Sequence, residues 1–138
     1  QAGLEDEAIT HYREALIINP GNLPSANNIA LLLADRNQDT GTAVAWARKA
    51  ASMAPKNPAV IDTLGWALVR DGNYTEGLRV LQGVYKLWPT NEIVQYHMGW
   101  TLVKTGKKAE GMALLQKAAT GKRPDASELA KKAIAEFS

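Results

Sequence analysis

The chain repeats itself with a period of 34 residues. Shifting the sequence by 34 positions places residues 64–66 (Leu-Gly-Trp) over residues 98–100 (Met-Gly-Trp), and Gly77 over Gly111. Within each copy, two amphipathic stretches flank a short turn, which is typical of a helical hairpin. A single hairpin of this size cannot bury its own apolar face, so such units stack on one another. The period therefore predicts an all-α array of stacked hairpins.

The repeated positions resemble the tetratricopeptide repeat (TPR) family, whose 34-residue pattern places small and aliphatic residues at fixed points of two helices. The matching residues are Leu64, Gly65, Leu68, Gly77, Leu81 and Pro89 in the central copy, Met98, Gly99, Leu102, Gly111, Leu115 and Ala118 in the next, and Ile29, Ala30, Leu33, Ala43, Ala47, Ala50 and Pro55 in the one before. This preceding copy fits if its turn holds one extra residue. The first Trp of the family pattern is absent from all copies. The sequences of the A helices look most like those of bacterial TPR proteins.

The resemblance implies a right-handed TPR superhelix of antiparallel helical hairpins with a C-terminal capping helix, forming a single domain over residues 1–138. We expect helix B of a truncated repeat first, then three full repeats, then the capping helix. The boundaries are 1–22, 23–57, 58–91, 92–124 and 125–138. Because no helix A precedes the first helix B, we expect the chain to be a piece of a longer array.

Several glycines lie inside the predicted helices, where glycine costs roughly 1 kcal/mol relative to alanine. Close packing between helices A and B is the simplest reason for Gly65 and Gly77. The sequence offers no reason for Gly83. Gly121 follows the last predicted helix B, and we expect it to end that helix in a left-handed conformation.

The composition excludes several kinds of site. The chain has no Cys, its two histidines are more than two repeats apart, and it contains none of the common phosphate-binding or nucleophile motifs. We therefore predict no enzyme, no metal site and no cofactor. The net charge of +2 is too small and scattered to favour nucleic-acid binding, and no apolar run approaches a membrane-spanning length. Both a bacterial cytoplasm and a periplasm remain open.

The TPR resemblance also implies a concave groove lined by the A helices. Carried over position by position, the candidate groove residues are Asn27, Asn28, Leu31, Asp62, Thr63, Trp66, Arg70, Tyr96, His97, Trp100 and Lys104. Trp66 and Trp100 occupy equivalent positions in successive repeats. We expect their indoles to be partly exposed in the groove, since aromatic groups with a polar atom dominate binding hot spots.

These observations predict a non-catalytic scaffold that binds a peptide or protein segment in the groove. The alternative is a carbohydrate-binding or assembly module of a bacterial envelope polysaccharide export system, in which the same indoles would contact sugar. The uncapped first helix also exposes an apolar stripe, which predicts self-association through Leu4, Ile9 and Leu16. Trp46 lies outside the groove positions, and we interpret it as filling a gap toward the neighbouring repeat.

Overall fold

The structure, a computed structural model, describes residues 2–138, and all the regular structure among them is helical. The helices are α1 (Ala2–Ile18), α2 (Leu23–Asp35), α3 (Thr40–Met53), α4 (Pro58–Arg70), α5 (Tyr74–Leu87), α6 (Glu92–Lys104), α7 (Lys108–Ala119) and α8 (Pro124–Phe137). The predicted all-α class is confirmed. The predicted truncated repeat starts at residue 1, and Gln1 lies outside the described residues.

The chain divides into two compact units, one ending at Gly77 and the other beginning at Leu78. In the first unit α1 packs against α2, while α2, α3 and α4 pack against one another. In the second unit α6, α7 and α8 pack against one another. No helix among residues 2–138 combines the length and the apolar composition that crossing a membrane requires.

Three A helices begin in the same way, with an asparagine whose side chain accepts hydrogen bonds from the first turn. Asn22 caps α2 through the amide of Ser25, and Asn57 caps α4 through the amide of Ala59. Asn91 caps α6 through the amides of the second and third helical residues, at 3.0 and 3.1 Å. An N-cap of this kind contributes about 1 kcal/mol. These asparagines recur with the repeat, but their capping role was not predicted.

The same three helices also end alike, because the second residue after each helix adopts the left-handed backbone conformation. Gly72 (φ 92°) and Gly106 (φ 94°) occupy equivalent positions after α4 and α6. Asn37 (φ 52°) takes this position after α2, and asparagine tolerates the left-handed region better than most residues. The extra residue of this turn, expected from the repeat spacing, leaves Asp39 with a positive φ of 48° as well.

The core of the first unit combines large aliphatic residues on α2 with alanines on α3. Ile29 and Leu33 are fully buried, as are Ala43, Ala47 and Ala50. Because the buried face of α3 carries nothing larger than a methyl group, α3 can lie close to its neighbours.

Glycines bring the backbones of paired helices into direct contact, as predicted. A Cβ atom on Gly111 of α7 would lie 2.5 Å from the carbonyl oxygen of Gly99 on α6. A Cβ atom on Gly77 of α5 would lie 2.9 Å from the carbonyl oxygen of Gly65 on α4. No Cβ contact lies within 4 Å of Gly83, so this position has open space and no packing requirement for glycine.

The prediction for Gly121 is wrong. The glycines with positive φ in the described chain are Gly72 and Gly106, so Gly121 does not adopt the left-handed conformation. Its missing side chain instead makes room for Glu92, since a Cβ atom on Gly121 would lie 2.5 Å from Oε1 of that carboxylate. The carboxylate uses this room to accept hydrogen bonds from the backbone amides of Lys122 and Arg123.

Candidate functional site

The predicted groove residues fall on α2, α4 and α6. Those on α2 and α4 belong to the first unit, and those on α6 belong to the second. In the first unit they are Asn27, Asn28, Leu31, Asp62, Thr63, Trp66 and Arg70. In the second they are Tyr96, His97, Trp100 and Lys104.

In the first unit, Trp66 and Arg70 attach α4 to the end of α2. The indole Nε1–H of Trp66 donates a hydrogen bond of 2.8 Å to Oδ1 of Asp35. Arg70 Nε donates to the carbonyl oxygen of Ala34 at 2.8 Å, and its guanidinium carbon lies 5.3 Å from the centre of the Trp66 ring. The Arg70 guanidinium thus adds a second hydrogen bond to the Ala34 carbonyl, which already accepts one from the amide of Asn37, and it stacks on the indole in a cation–π contact.

Of the α4 positions in the predicted groove, Asp62, Thr63 and Trp66 are buried, and Arg70 is half-buried. Trp66 has an exposed fraction of 0%. The Thr63 hydroxyl donates to the carbonyl oxygen of Ala59 within the same helix. The expectation of a partly exposed indole at Trp66 is wrong, because the side chain is fully buried and its Nε1–H donates to Asp35.

The accessible part of the predicted set in the first unit lies mainly on α2. Asn28 is exposed, while Asn27 and Leu31 are half-buried. The side-chain oxygen Oδ1 of Asn27 is buried and has no hydrogen-bond donor within reach. Asn27 and Leu31 are four residues apart and so lie on one face of α2. This face carries a buried amide oxygen that accepts no hydrogen bond, the exposed side-chain amide of Asn28 and an aliphatic side chain.

In the second unit, α6 carries a cluster of aromatic side chains that is also buried. The rings of Tyr96 and His97 lie 5.5 Å apart, and both residues are buried. Trp100 has an exposed fraction of 9%, with the Phe137 ring 6.0 Å away at an angle of 56°. Lys104 is exposed, and its Nζ lies 5.5 Å from the Trp100 ring. The contact with Phe137 of α8 was not foreseen from the sequence.

A surface cavity of about 240 Å³ lies elsewhere in the first unit, between α1 and α3. It is lined by Arg13, Leu16 and Ile17 of α1 and by Trp46 of α3. Trp46 is half-buried, with Lys49 Nζ 5.6 Å from its ring. The interpretation of Trp46 as filling a gap toward the neighbouring repeat agrees with this position beside α1, although the gap is incompletely filled.

Within residues 2–138, no group of three His, Asp or Glu side chains is arranged to hold a metal ion. An ion pair at the start of α8 shifts the pKa values of both its partners. Arg123 donates to Asp125 with an Nη2–Oδ2 distance of 3.0 Å, and this hydrogen bond lowers the pKa of the Asp125 carboxyl and raises that of the guanidinium. Both groups lie on the surface, so the pair belongs to the attachment of α8 rather than to a reactive centre.

Comparisons with known proteins agree with this architecture. Residues 63–128 match the family model described as tetratricopeptide repeat. A TPR repeat-containing protein of Pseudomonas aeruginosa, PA4667, is 31% identical over 74 residues. The match covers 54% of this chain, and the chain spans only 12% of the length of that relative.

Solved structures of MamA share the fold. The RS-1 ArsTM double mutant of MamA has a TM-score of 0.66 and 18% identity, covering 95% of this chain and 68% of that one. MamA residues 41 to the end from Desulfovibrio magneticus RS-1 give a TM-score of 0.64 and 18% identity, covering 99% and 85%. At this identity the likeness concerns the fold alone, which is the all-α TPR superhelix class. With its repeated helix boundaries and its glycine contacts, this chain has the TPR fold, and residues 63–128 match the tetratricopeptide repeat family.

Proposed function

We propose that this chain is a non-catalytic scaffold that binds an extended segment of a partner protein along the A-helix face of its first unit. The TPR fold is that of a protein–protein interaction scaffold, so protein partners are expected. The more specific proposal concerns α2, where Asn27, Asn28 and Leu31 would make the first contacts with the bound segment.

The observation that carries this proposal is the buried Oδ1 of Asn27. A buried acceptor without a donor costs about 1 to 3 kcal/mol, so native structures rarely retain one without a reason. A backbone N–H of a bound segment would satisfy this oxygen. The exposed amide of Asn28 would pair with the next peptide group, and Leu31 would contact an apolar side chain one helical turn away.

A phage-displayed peptide library supplies the probe, because it samples many different extended segments at once. Selected peptides should bind the wild-type chain and lose about tenfold in affinity, or 1.4 kcal/mol, on the Asn27→Ala substitution. The same substitution should leave the melting temperature unchanged or raised, because it removes an unsatisfied polar atom. Gln116→Ala on α7 is the matched control, since Gln116 is exposed and lies in the second unit.

Two results would contradict the proposal. The first is a set of selected peptides that bind the Asn27→Ala variant as tightly as the wild type, and the second is a variant that loses stability together with binding. The carbohydrate alternative is tested in parallel by saturation-transfer NMR with polysaccharide fragments. No observation favours it, because the indoles expected to stack on sugar rings are buried.

Self-association through α1 is a second proposal, which keeps Leu4 of the expected contact residues but not Ile9 or Leu16. Ile9 and Leu16 are buried within the unit and are not available to a second copy. Leu4, Ile17 and Ile18 are the large apolar side chains of α1 that are exposed, with exposed fractions of 62%, 81% and 85%. Sedimentation equilibrium should detect an oligomer that Ile17→Lys weakens and Lys56→Ala does not. A monomer at all accessible concentrations would exclude this contact.

A further inference from the structure

The last helix, α8, is attached to the second unit mainly through small residues and a few polar contacts. Its fully or nearly buried residues are Ala126, Ser127, Ala130 and Ala133. Larger side chains on α8, such as Leu129 and Ile134, are only half-buried. Since hydrophobic stabilisation grows with the apolar area removed from water, an alanine contact contributes much less than a leucine contact.

The interface between α6 and α7 is built from stronger elements. Gly99 and Gly111 place the two backbones in contact, and Leu102, Leu114 and Leu115 are buried around them. Segments with less buried apolar surface open at lower free energy than the rest of a domain. α8 should therefore separate from the unit before α6 and α7 separate from each other.

One carboxylate holds the start of α8. Glu92, in the first turn of α6, accepts hydrogen bonds from the backbone amides of Lys122 and Arg123, at 3.1 and 3.2 Å. This contact depends on Gly121, because a Cβ atom there would lie 2.5 Å from Glu92 Oε1. Ser127 adds a hydrogen bond of 2.8 Å from its hydroxyl to the carbonyl oxygen of Ala119.

The other end of α8 covers an aromatic side chain of α6. The Phe137 ring lies 6.0 Å from the ring of Trp100, which has an exposed fraction of only 9%. Phe137 itself is half-buried at the end of the helix. Movement of α8 away from the unit would uncover the Phe137-facing side of the indole, together with the surfaces of α6 and α7 on which α8 packs.

We propose that α8 is a lid, held closed by the Glu92 contact, and that its opening uncovers a surface of α6 and α7 that binds a helix of a partner protein in place of α8. The structure already shows what such a helix must carry: small residues where it lies against α6 and α7, and an aromatic residue one turn further on, against Trp100. This surface lies in the second unit and does not depend on the peptide site proposed for α2.

Hydrogen exchange of the whole chain tests the opening step. Amides of α8 should exchange about tenfold faster than those of α7, and Glu92→Gln should increase the rate for α8 alone. Gly121→Ala should have the same effect by displacing the carboxylate. The double variant should open no more than the stronger single variant, because both changes remove one contact. Glu110→Gln is the control, since Glu110 is exposed in the first turn of α7.

The binding step can be tested with the helix of the chain itself as a probe. A fluorescent peptide of residues 122–138 should bind the Phe137→Ala chain about tenfold more tightly than the wild type, because the substitution raises the fraction of open molecules. The same peptide with Ala130→Leu should fail to bind, since the larger side chain overpacks the contact. If α8 and α7 exchange at the same rate both in the wild type and in Glu92→Gln, the proposed opening of α8 is wrong. If the wild-type and Ala130→Leu peptides bind equally well, the proposed binding surface on α6 and α7 is wrong.

Discussion

The indole Nε1–H of Trp66 and the carboxylate of Asp35 form a hydrogen bond of 2.8 Å across 31 residues of sequence. Both residues belong to A helices, α4 and α2, so this bond sets the position of one repeat on the preceding one. A bond from a neutral donor to a carboxylate is stronger than one between two neutral groups. Trp66 therefore stabilises the first unit, whatever it contributes to binding.

Replacement of Trp66 by Phe should lower the free energy of unfolding by about 2 to 4 kcal/mol, from the lost charge-assisted hydrogen bond and the cavity that remains. Urea denaturation followed by circular dichroism measures the change. Trp88→Phe is the matched control, because Trp88 is exposed and the substitution should cost less than about 0.5 kcal/mol. Equal stability of the two variants would contradict the structural role of Trp66.

The burial of Trp66 and Trp100 also sets the expected cost of removing both indoles. Truncating both to Ala should cost as much as truncating Leu68 and Leu102, roughly 3 to 5 kcal/mol per aromatic site. Thermal melts of the two double variants provide the measurement. A double Trp variant clearly more stable than the double Leu variant would restore the groove interpretation.

Replacing two different glycines by alanine should change the stability in opposite directions. Gly111→Ala should destabilise the second unit by about 1 to 3 kcal/mol, because the new Cβ atom meets the carbonyl oxygen of Gly99 and the helices must separate. Gly83→Ala places the same methyl group in open space and should stabilise α5 by up to about 1 kcal/mol. Differential scanning calorimetry of both variants measures the two shifts. Stabilisation by both substitutions would show that helix propensity alone decides, and destabilisation by both would contradict the open space at Gly83.

The ion pair at the start of α8 makes its attachment depend on pH. The hydrogen bond from Arg123 lowers the pKa of Asp125 in the folded state. A group with a lowered pKa stabilises the fold above its ordinary pKa, and this contribution is lost as the pH falls through the lowered value. NMR titration of the Asp125 carboxyl carbon should show that Arg123→Gln raises the midpoint, while Arg79→Gln leaves it unchanged. An unchanged midpoint in Arg123→Gln would exclude the pair as the cause.

The first helix should be the least protected part of its unit. α1 packs against α2 through Ile9 and Leu16, while α2 and α3 are covered on more than one side. Leu16→Ala should therefore accelerate hydrogen exchange in α1 without changing it in α2 and α3, whereas Leu33→Ala should accelerate it throughout the unit. Protection of α1 equal to that of α2 in a monomeric sample would contradict this order.

The positions of the helices and their close contacts could be predicted because both are encoded locally. Each A helix lies within the repeat expected to hold it, and Gly77, Gly99 and Gly111 mark backbone contacts as the repeat pattern indicated. The asparagine caps of α2, α4 and α6 are encoded just as locally, since Asn22, Asn57 and Asn91 recur one repeat apart. They lie outside the apolar pattern from which the helices were predicted.

The exposure of the candidate site could not be predicted in the same way. Trp66 and Trp100 occupy equivalent positions of the repeat, yet Trp66 is covered within its unit through Asp35, and Trp100 through Phe137, 37 residues later. Gly121 likewise fits a left-handed cap by its place in the sequence, but the side chain of Glu92 decides its role. Each outcome depends on a residue far away in sequence, outside the repeat pattern.

The sequence by itself determined the fold class, the order of the helices and the sites where their backbones touch, because the spacing of apolar residues within a helix and of small residues between two helices is fixed by helical geometry. Only the tertiary structure decided which of the predicted binding residues remain accessible. In the tertiary structure both indoles are buried, Oδ1 of Asn27 accepts no hydrogen bond, and Phe137 of α8 lies against Trp100. Accessibility depends on which distant side chains come to lie over a surface, and no local period encodes that.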